Sequence, residues 1–363
     1  MEKEKIIVGL SGGVDSSVAA WLLKEQGYDV IGVTMVHFHE KGIAQGEKSS
    51  TDKIVEDAAK VAEFLQIPHY VADVCSQFKE DVIDYFIKEY ISGRTPNPCV
   101  VCNRYIKWKA IMEQGEKLGA KLMATGHYAR IDQLPNGRYA LKCSVTAAKD
   151  QTYALYGLTQ EQLSRTRMPL GSYTKDQIRE IAERIGLPVA KKPDSMEICF
   201  IPDKDYGRFI KENTDITVPE GNYVNMAGDI LGRHKGIIHY TIGQRKGLNL
   251  AMGHPVFVTE IRPESNEVVI GENEDVFAPG LLCSDLNPMS VPEFTEGMEV
   301  FAKIRYNHKG APAVLRKYGD NQLLVEFKEP QRAITPGQAV VFYQGDYVAG
   351  GAVIDRWVKN LEL

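Results

Sequence analysis

Ser11-Gly12-Gly13-Val14-Asp15-Ser16-Ser17 lies between an apolar run, Ile6 to Leu10, and an amphipathic stretch, Ser16 to Gln26. That order predicts strand, tight turn and helix. Two adjacent glycines let the backbone turn so that successive N–H groups and the helix N-terminus face one anion, and the Ser11, Ser16 and Ser17 hydroxyls add donors. The loop is a candidate pyrophosphate cradle formed by Gly9, Leu10, Ser11, Gly12, Gly13, Val14, Asp15 and Ser16. Neither Gly-x-x-x-x-Gly-Lys-Ser/Thr nor Gly-x-Gly-x-x-Gly occurs there, which argues against a kinase-like P-loop and a dinucleotide fold. Asp15 suits a hard cation such as Mg²⁺, or simply favours the helix N-terminus electrostatically.

Outward from the loop, apolar runs alternate with helical patterns. Val30 to Met35 predicts a second strand and Lys53 to Leu65 a helix; Pro68 forces extension into His69 to Ala72. Helical patterns follow over Phe78 to Tyr90 and Tyr105 to Leu118, and Lys121 to Thr125 reads as another buried strand. Thr174 with Gln177 forms a capping box, and Gly186 with Pro188 ends that helix. The pattern predicts an α/β parallel-sheet nucleotide-binding domain over residues 1–206. Ligands of such sheets bind at the carboxyl ends of the strands, which brings Met35 and Gly126-His127 to the edge that carries the loop. Met35 also fits a core position, and His127 a satisfied loop position.

Beyond Gly207 short alternating segments with Gly and Pro turns replace this pattern, as in Pro255 to Ile261, Val268 to Ile270, Glu299 to Arg305 and Leu323 to Phe327. Two small β-rich domains are expected, a central one over 207–279 and a C-terminal β-barrel over 280–363.

The 363 residues suffice for two or three domains, and a formal charge of -5 gives no global argument for nucleic acid. Basic residues still cluster locally, as at Lys191-Lys192 and Arg305 with Lys309. No apolar run is long enough for a membrane span, and Ile6 to Leu10 is too short for a signal peptide, so a cytoplasmic protein is expected.

Six cysteines in so long a chain do not resemble a disulfide framework. Cys99 and Cys102 sit in Arg94-Thr95-Pro96-Asn97-Pro98-Cys99-Val100-Val101-Cys102-Asn103, just before a helix pattern. A thiol near a helix N-terminus is acidified, which makes Cys102 a candidate nucleophile. Cys199 lies in Asp194-Ser195-Met196-Glu197-Ile198-Cys199-Phe200-Ile201. Zinc needs a second cysteine pair that the chain lacks. Cys99, Cys102 and Cys199 can instead supply three ligands of a [4Fe-4S] cluster with an open position. Cys75, Cys143 and Cys283 read as packing residues.

The cradle resembles the signature of N-type ATP pyrophosphatases, which cleave ATP between the α and β phosphates and adenylate an oxygen. Taken with Gly93 to Pro98, Cys102-Asn103, Ala124-Thr125-Gly126-His127-Tyr128-Ala129-Arg130, Lys149-Asp150-Gln151, Cys199-Phe200-Ile201 and Tyr240 to Gly247, the chain resembles the bacterial tRNA-specific 2-thiouridylases almost end to end. The resemblance implies an adenine nucleotide alpha hydrolase-like domain with ATP on the cradle, Met35 and Gly126. It implies Cys199 as persulfide carrier and Cys102 as resolving partner, with tRNA as substrate and a sulfur donor such as a cysteine desulfurase or sulfur-relay protein. Asn97, Pro98 and Cys99 match positions that meet the target base; His127, Lys149, Asp150, Gln151, Arg305, Tyr306 and Gln338 match positions that touch tRNA near the anticodon. Two departures stand out: Cys99 where other members often carry Asp, and Cys143-Ser144-Val145-Thr146 in place of an Arg-Gly stretch.

Overall fold

A computed structural model describes residues 3–38, 49–194 and 198–361. Two compact units are formed, the first by 1–82, 99–200 and 346–348, the second by 83–98, 201–345 and 349–363.

In the first unit β1 (Lys5–Gly9) forms because Ile6, Ile7 and Val8 are buried on both faces, as the strands of a covered parallel sheet must be. It pairs in parallel with β2 (Asp29–Val36), Ile6 opposite Val30, while β3 (His69–Asp73) pairs with β2. On its other side lies β4 (Leu122–Ala124). An antiparallel hairpin follows, β5 (Ala129–Gln133) and β6 (Tyr139–Cys143), and β7 (Thr166–Arg167) completes the parallel sheet in the order β3-β2-β1-β4-β7. The order reverses between β1 and β4, so a crevice opens at their carboxyl ends.

Helix α1 (Val14–Glu25) buries Val14, Val18, Ala19, Leu22 and Leu23 against this sheet. Helix α2 (Ser50–Leu65) begins at a capping box: Ser49 accepts from the Asp52 amide and the Asp52 side chain from the Ser49 amide, both at 3.0 Å. That box starts the helix one turn before the apolar pattern predicts. Residues 98–117 are helical, with a π-turn over Cys102–Lys107 ahead of α3 (Trp108–Lys117). The Thr174–Gln177 capping box is present and opens α4 (Lys175–Arg184), whose Ile178, Ile181 and Ala182 pack in the same core as α1.

In the second unit β8 (Gly221–Val224), β9 (Ile230–His234), β10 (Phe257–Arg262) and β11 (Glu267–Gly271) form a sheet in the order β10-β11-β8-β9. Six further strands follow: β12 (Phe277–Pro288), β13 (Met298–Lys303), β14 (Ala311–Tyr318), β15 (Gln322–Arg332), β16 (Ala339–Gln344) and β17 (Tyr347–Val358). They run β12-β15-β14-β13-β16-β17, and the β12–β17 pairing closes them into a barrel, which removes every edge. Leu281, Val300, Leu315, Val325, Phe342 and Ile354 fill it. The expected α/β parallel-sheet domain followed by β-rich domains, the last a β-barrel, is what the chain forms. Among the described residues no helix is long and apolar enough to cross a membrane.

Candidate active site

The cradle joins β1 to α1. Gly12 has φ +62°, and a Cβ there would lie 2.8 Å from the Ile54 carbonyl, so glycine is required on both counts. Gly13 is the N-cap of α1 and gives no side-chain cap, which leaves the first-turn N–H groups facing the loop. Ser16 Oγ accepts from the Ser11 amide at 3.1 Å and donates to the Gly13 carbonyl at 3.2 Å. Ser17, expected as an anion donor, is fully buried and donates to Gly13 O at 2.7 Å. Its proton is held inside the turn. Ser11 is exposed at the loop's lip.

Gly126 follows β4 on the same sheet edge, and a Cβ there would meet the Ser16 amide nitrogen at 2.7 Å. Glycine is needed to seat this loop on the start of α1, a reason the sequence did not disclose. Met35, half-buried at the end of β2, has its carbonyl 3.4 Å from His37 Nδ1.

Two lysines from distant sequence reach the loop. Lys192 donates to the Gly12 carbonyl at 2.9 Å and to Asp57 at 2.7 Å; this bond holds the Asp57 carboxyl below its usual range. Lys175 donates to both Asp15 oxygens, at 2.8 and 2.9 Å, and lies 2.7 Å from Asp194. Tyr128 donates to Asp15 Oδ1 at 2.7 Å, and burial together with that carboxylate pushes its phenol up. Lys149 and Arg179 also bind Asp194, at 2.9 and 3.1 Å. Burial alone would raise the Asp194 carboxyl, but the hydrogen bonds and charges of Lys175 and Lys149 outweigh it and hold it at about 2. Both Asp15 oxygens are therefore engaged, and the carboxylate as placed does not fit a magnesium ligand.

Cys99, Cys102 and Cys199 all belong to the first unit. Cys99 and Cys199 reach the surface and Cys102 is half-buried, yet desolvation by the protein around them raises all three thiols, Cys199 to about 12, and the sulfurs raise one another: Cys199 feels Cys102 and Cys99, and Cys102 feels Cys99. The expected acidified Cys102 is not found. The helix starts four residues earlier at Pro98, so Cys102 sits beyond the first turn, where the terminal field has faded and desolvation dominates. Lys107 opposes that desolvation at all three thiols. It ends the π-turn that begins at Cys102, and its side chain has no hydrogen bond or ion pair among the described residues. No three His, Cys, Asp or Glu side chains among the described residues are gathered to hold a metal ion, so the thiols as placed do not fit a cluster. Ser195, Met196 and Glu197, beside Cys199, lie outside the described residues.

Aromatic contacts tie this thiol group to the sheet edge. Phe200 packs on Phe78 at 5.6 Å and Phe78 on His37 at 4.9 Å, two residues past Met35. His127 lies 5.5 Å from the Trp108 ring and bonds Thr125 at 2.8 Å; burial, then the Lys107 charge, holds it well below the usual histidine range, neutral at pH 7.

Of the remaining expected tRNA contacts in this unit, Lys149 is engaged with Asp194 as above. Asp150 accepts from the Ser144 amide at 2.7 Å and the Thr152 amide at 3.2 Å, and Gln151 accepts from the Tyr128 amide at 2.9 Å. These two brace loops. In the second unit, Gln338 donates to the Thr95 carbonyl at 2.8 Å and the Pro96 carbonyl at 3.3 Å, which steadies the chain just before Asn97 and Pro98. Arg305 donates to the Arg332 carbonyl at 3.0 Å, and Tyr306 is exposed. Lys175, Lys192, Tyr128, Asp194 and Lys107 were not singled out for the site from sequence; Tyr128 and Asp194 stand inside quoted motifs without a role of their own, Lys191-Lys192 stood out only as a basic pair, and Lys175 and Lys107 carry no local signal.

Three family descriptions match the chain in succession: tRNA methyl transferase HUP domain over 4–203, tRNA methyl transferase PRC-barrel domain over 207–272, and aminomethyltransferase beta-barrel domain over 279–354. The chain is 59% identical to the tRNA-specific 2-thiouridylase MnmA of Lachnoclostridium phytofermentans, covering 97% of this chain and 99% of that one. It is 52% identical to the same-named protein of Clostridium perfringens, over 98% and 99% of the two chains. The corresponding protein of Carboxydothermus hydrogenoformans is also 52% identical, over 98% of each chain. With likeness of this extent over the cradle, the cysteines and the barrel alike, the chain belongs to the bacterial tRNA-specific 2-thiouridylase family.

Proposed function

We propose that the chain replaces the C2 oxygen of the tRNA wobble uridine with sulfur, at the cost of one ATP. The observation that carries this reading is the coupled thiol group, Cys99, Cys102 and Cys199, in the same unit as the glycine cradle. The matching descriptions name methyl transfer, whereas the relatives, identical at half or more of their positions over nearly the whole chain, are named as thiouridylases.

Uracil C2 bears an oxygen that cannot leave as oxide, so it is first adenylated: the C2 oxygen attacks the α-phosphorus of ATP and pyrophosphate departs. The cradle from Gly9 to Ser16, with Met35 and Gly126, holds the nucleotide. A persulfide on Cys199 then attacks C2 through its terminal sulfur and AMP leaves with the oxygen. Cys102 thiolate attacks the inner Cys199 sulfur, breaking the S–S bond. The thiocarbonyl stays on the base, and a Cys102–Cys199 disulfide forms that an external thiol reductant must reopen. Raised thiol pKa values suit this division, because an exposed Cys199 is open to a sulfur donor yet stays a protonated, weakly reactive thiol until it is loaded; Lys107 is the cation available to the sulfur anions.

The base leaves the anticodon stack to reach the pocket. Asn97, Pro98 and Cys99 meet it, with His127, Lys149 to Gln151, Arg305, Tyr306 and Gln338 at or behind the RNA contact. The account assigns residues 1–206 to nucleotide chemistry and 207–279 and 280–363 to RNA binding, in a cytoplasmic protein supplied by a cysteine desulfurase or a sulfur-relay protein. Magnesium enters as the counter-ion of ATP, with no step on the protein. Cys199→Ser tests the persulfide reading: thiolation is abolished while tRNA-dependent pyrophosphate release continues, and wild-type thiolation by this variant overturns it.

A further inference from the structure

The second unit contains a cavity of about 410 Å³, the size of a small-ligand site, lined among others by Gly93, Glu260, Pro336, Arg356, Trp357 and Lys359. Its charge is one-sided. Glu260, its one acid, is paired with Arg262 at 2.9 Å. Arg356 and Lys359 are exposed, and the Arg356 side chain has no hydrogen bond or ion pair among the described residues. Trp357 packs one side on the barrel core, and the Lys359 ammonium lies 5.3 Å from its ring centroid. A flexible cation thus rests on an aromatic face and can leave it for a stronger anion.

Two free cations around an accessible indole are the elements with which proteins hold single-stranded nucleic acid: a ring for the base and positive charge for the phosphate. Ile242, Ile261, Pro336 and Val358 give the wall an apolar floor on which a base can rest, while its uncompensated charge is positive, as a phosphate requires. The position also matters. Gly93 and Pro336 line the cavity, and the Thr95 amide donates to the Pro336 carbonyl at 2.9 Å, so the wall is continuous with the chain that leads to Asn97.

We infer that this cavity takes one unpaired nucleotide of the substrate RNA, its base on Trp357 and its phosphate between Arg356 and Lys359. The inference rests on the reading of the chain as a tRNA-modifying enzyme and adds a contact outside the catalytic unit. Lys359 moves from the ring to the phosphate as the base takes its place. Each single-strand phosphate contact contributes about 0.7 to the slope of log Kd against log salt, and a stacked base about tenfold in affinity.

The test uses the full chain and an unmodified tRNA transcript. The Arg356→Gln/Lys359→Gln variant, which loses the one phosphate contact, should flatten the salt slope by about 0.7 and raise the KM for tRNA about fivefold or more, with kcat at saturating tRNA and ATP affinity unchanged. Trp357→Phe should bind tRNA as wild type does, and Trp357→Leu about tenfold more weakly. Lys328→Gln, exposed on β15, controls for net charge and should leave the slope unaltered. Wild-type slopes and affinities in the double variant and in Trp357→Leu overturn the inference. If instead the unaltered enzyme releases no pyrophosphate with tRNA, the functional reading itself has failed, and the two failures are separable.

Discussion

Lys175 holds both oxygens of Asp15, at 2.8 and 2.9 Å, while the same ammonium lies 2.7 Å from Asp194, five residues before Cys199. One cation thus joins the glycine loop to the segment that leads to Cys199. Lys175→Met leaves Asp15 with Tyr128 alone and removes a cation from Asp194. We expect the KM for ATP to rise about tenfold or more, measured by pyrophosphate release, with Lys175→Arg partly restored.

Asp194 gives this network a pH signature. Its carboxyl is held at about 2 in the folded chain, below the ordinary aspartate value, so its contribution is fully present above about pH 4. As pH falls through the folded value the contribution is lost. Asp194→Asn should therefore be less stable than wild type at pH 7 by on the order of 1 kcal/mol, after discounting for solvent screening, and equal to it near pH 1, about a unit below the folded value. Urea unfolding midpoints at the two pH values check this.

Gly126→Ala places a methyl 2.7 Å from the Ser16 amide nitrogen, a backbone contact that no rotamer relieves. The start of α1 must shift. The variant should lose about 1–3 kcal/mol of stability and at least tenfold in ATP affinity. Gly13→Ala, whose nearest contact is Ser11 Oγ at 3.4 Å, should lose far less, as isothermal titration with a non-hydrolysable ATP analogue will show.

Cys199 is raised to about 12, so in the unloaded enzyme its alkylation by iodoacetamide should climb about tenfold per pH unit with no plateau below about pH 11. Lys107→Met removes the charge that opposes desolvation and should slow alkylation of Cys199 about fivefold at pH 8, while Lys107→Arg keeps the rate near wild type. Peptide mass spectrometry after timed labelling gives both rates.

Gln338→Ala deletes the bonds to the Thr95 and Pro96 carbonyls. Removing them should loosen the approach to Asn97 by about 1 kcal/mol and raise the KM for tRNA severalfold, with ATP binding unaltered.

The glycine loop was legible because strand, turn and helix each left a local signal: buried Ile6 to Val8, two glycines and the apolar face of α1. The capping box at Thr174 was legible for the same reason. The β5–β6 hairpin was not, since Asp132, Lys142 and their neighbours alternate weakly and their order comes from pairing. Cys102 was misjudged because desolvation depends on what the fold packs around a thiol, and no spacing reveals that. Lys175 and Lys192 reach the loop from 160 and 180 residues away, a distance that only the folded sheet closes.

Nucleoside mass spectrometry on an unmodified tRNA transcript, incubated with ATP, the purified enzyme and a persulfide donor, tests the central claim most directly. The account expects 2-thiouridine at the wobble position, formed one for one with pyrophosphate and abolished by Cys199→Ser. Pyrophosphate released without any thiolated base in the wild-type reaction, or thiolation that persists in Cys199→Ser, would contradict it.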